Sequence, residues 1–117
     1  MRHALVLLAS LLASAPLPAE EPSVQRQAEL HALVVEDCGA CHGARLKGGL
    51  GPALSPDRLA AIPSRRLEQT ILEGRDGTPM PPWKAFLTPG EARWIVQQLK
   101  QGRWLRQARD GNQKGNR

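Results

Sequence analysis

The sequence predicts a small all-α domain of about four helices joined by two irregular loops. Three observations carry this. Apolar residues recur at helical spacing in the segments 24–37, 65–73 and 88–100. Start and stop signals bracket those segments. No stretch alternates apolar and polar residues over a useful strand length.

The first helix is expected to begin at Ser23, whose side chain can cap it. The residue three further on is Arg26 and not Glu or Gln, so there is no capping box. Ala28, Leu30, Leu33, Val34 and Val35 then offer an apolar stripe between Val24 and Asp37. This helix runs straight into Cys38-Gly39-Ala40-Cys41-His42. Leu46 to Leu54 holds three glycines and a proline and reads as a loop. It lacks the Gly-Lys-Ser/Thr ending of a phosphate loop, which argues against nucleotide binding. Ser55-Pro56 is a cap followed by a first-turn proline, and Pro63 closes that short helix.

Arg65 to Glu73 reads as a third helix, with Leu67, Ile71 and Leu72 inward and Gly74 as its stop. Arg75 to Phe86 is irregular and proline-rich, with Gly77-Thr78-Pro79-Met80-Pro81-Pro82-Trp83 at its centre. The last helix is the clearest. Thr88 caps it, Pro89 takes the first turn and Glu91 completes a capping box. Ala92, Ile95, Val96 and Leu99 fall at i, i+3, i+4 and i+7. Gly102 ends the helix or kinks it before Trp104 and Leu105.

The chain has 117 residues, room for one domain. Its expected division is a signal peptide over 1–19, one domain over 20–105 and a basic, disordered tail over 106–117. Met1-Arg2-His3 is a positive start, Ala4 to Ala13 is a nearly unbroken apolar run, and cleavage is expected after Ala19. The apolar run is too short for a stable membrane span. No cysteine near the cut offers a lipid anchor. The expected destination is the periplasm. No apolar residue follows Arg109.

The core is thin. The domain has four aromatic residues, Trp83, Phe86, Trp94 and Trp104, and no tyrosine. Domains this small rely on a disulfide, a metal or a cofactor. Two cysteines allow one disulfide at most; a large apolar cofactor would answer the shortage better. The formal net charge of +5 points to acidic partners. An exported chain without a binding motif is a poor candidate for nucleic acid. A monomer is expected.

Cys38-Gly39-Ala40-Cys41-His42 is C-x-x-C-H, the attachment signature of c-type haem. Two thiols add across the haem vinyl groups one backbone turn apart, and the following histidine is aimed at the iron. Three other readings compete. A thioredoxin-like pair wants the cysteines after a strand in an α/β pattern. A disulfide this tight would staple almost nothing. A zinc site wants a fourth ligand at metal-like spacing.

Met80 is the second signal. A lone methionine is usually core filler. Here Pro79, Pro81 and Pro82 stiffen the backbone on both sides, which suits the presentation of a thioether. Met80 also lies far enough beyond His42 to pass the haem edge and reach the opposite face. Met/His ligation fills both axial sites and favours electron transfer over substrate chemistry. His31, seven residues before Cys38, is expected on the helix surface and not above the iron. Lys84 could replace methionine only in an alkaline form. Pro52 is expected to accept a hydrogen bond through its carbonyl from the His42 nitrogen that does not bind iron. Trp83 either packs on the haem edge, donates its indole N–H to a propionate, or is ordinary core.

These residues resemble class I c-type cytochromes over Ala28 to Lys100. Within that family, Asp37 to Gly43, Leu46 to Leu54 and Gly77 to Trp83 look most like the cytochromes c55X of the nitrite reductase system. The resemblance implies a class I fold, with first and last helices crossing near one haem edge. It implies one covalent haem c at Cys38 and Cys41, with iron ligation by His42 and Met80. It also implies an acidic redox partner, either cytochrome cd1 nitrite reductase or a d1-haem maturation protein. The basic tail departs from the compact class I pattern. Two functions stay open: a non-enzymatic electron carrier, or a redox partner in d1-haem maturation. A gas-binding or peroxidatic role requires Met80 to leave the iron. Lys47 and Lys84 are the lysines nearest the two ligand loops and are expected to steer the partner.

Overall fold

Helical periodicity and capping in the sequence are realised as four helical runs in the computed structural model, which describes residues 21–104. The leader over 1–19 and the tail over 106–117 lie outside the described residues. The first run contains α1 (Val24–Leu33), a wider π turn (Val34–Cys38) and α2 (Gly39–His42), which follow one another without a break. Then come α3 (Pro56–Ala60), α4 (Ser64–Glu73) and α5 (Pro89–Lys100). Among the described residues there is no strand. No helix there is long and apolar enough to cross a membrane.

Two of the three expected caps form, at Ser23 and Thr88; Ser55, expected to cap α3, makes no side-chain capping bond. Ser23 Oγ accepts from Arg26 N–H at 3.2 Å. Thr88 Oγ1 accepts from Glu91 N–H at 3.2 Å, and the Glu91 carboxylate accepts from Thr88 N–H at 2.8 Å. That is the reciprocal capping box read from the sequence. Pro56 and Pro89 take first-turn positions, where a missing N–H costs nothing. Gly74 ends α4 with φ 72°.

The π turn is the one element the periodicity did not announce. Gly39 N–H reaches back to Val34 O, five residues earlier. One extra residue in the turn rotates everything after it by about 100° relative to a continuous α-helix. The stripe on α1 narrows in consequence. Leu30 and Val34, four apart, are fully buried, whereas Ala28 and Val35 are exposed.

The core forms where α5 meets the rest. Ala92, Ile95, Val96 and Leu99 are buried, as their spacing predicts, and Trp94 joins them. Leu30, Val34, Leu46, Leu59, Leu87 and Trp104 complete the buried apolar set. Fully burying one such side chain contributes roughly 1.5–3 kcal/mol. The backbone turns at Gly102, with φ 65°. Trp104 then packs edge-on against Trp94, with ring centroids 5.9 Å apart and planes at 76°. Phe86 is largely exposed. One polar link ties α1 to the start of α5. Arg26 Nε donates to Glu91 Oε1 at 2.6 Å, and its Nη1 donates to Glu29 at 2.8 Å.

Candidate haem site

The site begins where the first helical run ends. Cys38 closes the π turn, and Cys41 and His42 occupy the last positions of α2. A helix end leaves carbonyls without intrahelical partners. Here the following loop supplies donors: Gly51 N–H to Cys41 O at 2.7 Å, and Gly48 N–H to His42 O at 2.8 Å. Leu46, buried at φ 56°, pins the loop onto the core, and Leu54 N–H donates to Leu46 O. The glycine-rich segment is thus a cradle folded under the histidine.

His42 is 9% exposed. Its Nδ1 lies 2.7 Å from Pro52 O. A carbonyl can only accept, so Nδ1 carries the proton and donates. The expected Pro52 contact is therefore present. Nε2 has no protein partner among the described residues, and no buried polar side-chain atom there is left unsatisfied. Nε2 is thus the nitrogen free to bind a metal, in the tautomer such a ligand requires. Gly51 makes the close approach possible. A Cβ on it would lie 2.9 Å from both Cε1 and Nδ1 of the His42 ring.

Both thiols are free. Cys38 is half-buried, and Cys41 is exposed. Burial first, then the neighbouring Asp37 charge, pushes the Cys38 thiol up to about 11. It is held as a neutral thiol near pH 7. Among the described residues no three His, Cys, Asp or Glu side chains converge as a metal-ion cluster would.

Met80 is half-buried, in a loop fastened to the end of α4. Arg75 N–H donates to Met80 O at 3.2 Å, and Met80 N–H donates to Thr78 Oγ1 at 3.3 Å. Downstream, Trp83 N–H donates to Ile71 O and Lys84 N–H to Leu72 O. Gly74 permits this fastening as well as ending the helix: a Cβ there would lie 2.7 Å from Met80 O. Trp83 is half-buried against the core, 5.9 Å from the Phe86 ring. His31 is half-buried on α1, its ring 6.1 Å from that of Trp104. Lys84, expected with Lys47 to steer a partner, is paired with Glu73 at 3.0 Å.

The donor set fits a covalently attached haem. Two free thiols one turn apart precede a histidine with a free Nε2. Leu33, Leu54, Leu67, Ile71 and Trp83 are apolar, pack on the core and stay only partly covered, as side chains receiving a large apolar disc would. Sequence reasoning missed the π turn, the Gly51 contact with the His42 ring, and the role of Gly74 beneath Met80. Glycine beside Pro52, and glycine before the methionine loop, were the available signals for the last two.

Several known proteins are similar to this chain. The family model described as cytochrome c oxidase, cbb3-type, subunit III matches residues 25–99. The chain is 48% identical to cytochrome c55X of Pseudomonas aeruginosa over 86% of this chain and 87% of that protein. It is 45% identical to cytochrome c55X of Stutzerimonas stutzeri, over 86% of this chain and 93% of that one. Among solved structures, a c-type cytochrome NirC superposes with a TM-score of 0.70 at 49% identity, covering 71% of this chain and 98% of that one. A dihydro-heme d1 dehydrogenase of Pseudomonas aeruginosa is 37% identical over 60% of this chain but only 14% of its own length.

Proposed function

The chain belongs to the cytochrome c55X family, within the wider cytochrome c family of the subunit III model, and its relatives are haem-bearing electron-transfer proteins. On that premise we propose that it is a periplasmic mono-haem cytochrome carrying single electrons to or from cytochrome cd1 nitrite reductase in denitrification. The leader over 1–19 exports it and is removed. The observation that carries this reading is the His42 ring, fixed through Nδ1 to Pro52 O directly after two free thiols.

When bound, the haem supplies a one-electron iron couple. Cys38 and Cys41 would hold it through thioethers, and His42 Nε2 and the Met80 sulfur would ligate its iron. Ligation by both side chains would leave no place for substrate at the metal, which suits a carrier and not an enzyme. Its own residues then set burial, ligand orientation and a docking surface. The Pro52 carbonyl fixes the plane of His42, and the hydrogen bonds to α4 fix the methionine loop.

The test is stopped-flow electron exchange between the purified holoprotein and cytochrome cd1 nitrite reductase across a salt series. A fast exchange that slows as salt rises supports the reading. A slow, salt-independent exchange overturns it.

A second reading is favoured by one observation: the similarity to part of dihydro-heme d1 dehydrogenase. Dehydrogenation releases two electrons, and a one-electron carrier accepts them one at a time. On this reading the chain is a redox partner in d1-haem maturation. Deleting the gene separates the two. Loss of d1 haem from the nitrite reductase marks maturation, and loss of its reductant alone marks the carrier.

A further inference from the structure

α4 is two-faced. Leu67, Ile71 and Leu72 pack toward the core, while Arg66, Gln69, Thr70 and Glu73 form the opposite stripe at three- and four-residue spacing. That outer stripe does not lie bare. Together with Arg65, Gly74, Arg75 and the residues at either end, it lines a shallow groove. Three arginines border the groove, and all three are exposed. Among the described residues, none of their guanidinium groups has an ion-pair partner: the four ion pairs there use Arg26 twice, Lys84 and Arg93.

The groove also holds two carboxylates. Glu73 is already tied to Lys84 at 3.0 Å, so that pair adds little net charge. Asp76 has no cation within ion-pair distance among the described residues. Three free guanidinium groups therefore face one free carboxylate, and the groove is net positive. Arginine presents a planar fork that matches a carboxylate with two parallel hydrogen bonds. The groove also adjoins the methionine loop. Gly74 lines it while packing under Met80 O, and the backbone N–H of Arg75 bonds Met80 O.

We propose that the groove of Arg65, Arg66 and Arg75 is the docking surface for a carboxylate-bearing loop of an acidic redox partner. This deepens the electron-carrier reading and rests on it. It places steering charge on Arg65, Arg66 and Arg75, whereas Lys84, one of the two lysines expected to steer, is paired with Glu73. Carboxylates entering the groove find guanidinium groups that no acid among the described residues neutralises. A partner held there sits beside the segment that carries Met80. Long-range attraction brings it in, and screening by salt weakens it.

Two arms test this on the full-length holoprotein. In the first, a hexaglutamate peptide is titrated into the 15N-labelled reduced protein and followed by NMR. Amide shifts should localise to residues 65–76, fade as salt rises, and vanish in the Arg65→Gln/Arg66→Gln/Arg75→Gln variant. Shifts centred on Lys47 or Lys100, or no shifts at low salt, overturn the groove. In the second, the bimolecular rate with cytochrome cd1 nitrite reductase is measured for the same variant. A fall of about tenfold or more at low salt, with a flattened salt dependence, is expected. An unchanged visible spectrum and an unchanged rate with the small neutral reductant tetramethyl-p-phenylenediamine show that the variant is folded. A variant that keeps the wild-type rate and salt slope overturns the proposal. If the wild-type protein does not exchange electrons with nitrite reductase at all, the assigned partner fails, and the peptide arm still decides the groove.

Discussion

His42 donates from Nδ1 to the carbonyl of Pro52 at 2.7 Å, and Gly51 is the residue that lets the two come so close. Gly51→Ala places a methyl 2.9 Å from the ring. Ring or loop must then shift, and overpacking of this kind costs about 1–3 kcal/mol. Urea unfolding of the holoprotein should show that loss, with a perturbed visible spectrum. A variant with wild-type stability and spectrum would show that the cradle does not position the histidine.

Attachment has its own test. The proposed attachment through two thioethers predicts that haem remains with the protein through acid–acetone extraction and denaturation. Cys38→Ala or Cys41→Ala should leave one thioether, and the double variant should yield no stable holoprotein. Free extraction of the wild-type haem would remove the covalent assignment.

The axial pair is checked by spectroscopy. The oxidised protein should show the weak near-infrared absorption of methionine bound to ferric haem. Met80→Ala should abolish it and open the iron to carbon monoxide. His31→Ala should leave the spectrum alone, since its ring lies against Trp104. Ready binding of carbon monoxide by the wild-type protein would favour the gas-binding alternative.

Glu91 gives a pH-dependent prediction. Its hydrogen bond from Arg26, aided by the Thr88 cap, holds its carboxyl below the usual carboxylate range. A depressed value means that the folded state favours the ionised form. The stabilisation is present above the ordinary range, near about pH 4.3 for glutamate, and is lost as pH falls through the folded value. Thermal unfolding should therefore show Glu91→Gln less stable than wild type at pH 7, with the difference shrinking on acidification. A difference that stays constant with pH would assign the effect to packing. Thr88→Ala, which removes the cap hydroxyl together with an exposed γ-methyl, should cost about 1 kcal/mol.

Much of this was legible in the residues. Thr88-Pro89-Gly90-Glu91 specifies its capping box locally, and α5 buries the four apolar positions its spacing marks. The haem motif, too, is a local signal, since its three residues act within one turn. What could not be read depends on partners distant in sequence. Lys84 looks free until Glu73 is seen opposite it, because that pairing is set by how the methionine loop folds back on α4. The π turn has no compositional mark, because the wide turn uses ordinary helix-compatible residues.

That wide turn separates two jobs along one rod. Upstream, Leu30 and Val34 must meet α5 and its neighbours; downstream, two thiols and an imidazole must meet a cofactor. A rigid α-helix would lock the two orientations together at a fixed angle. The additional residue works as a phase adjuster, letting each end satisfy its own geometry. The number of residues between Val34 and Cys38 is therefore constrained more tightly than their identity. Exchanging exposed Val35 or Glu36 for other helix formers should be tolerated. Deleting either would turn the cysteines about a quarter of the way round the helix while leaving every motif letter in place.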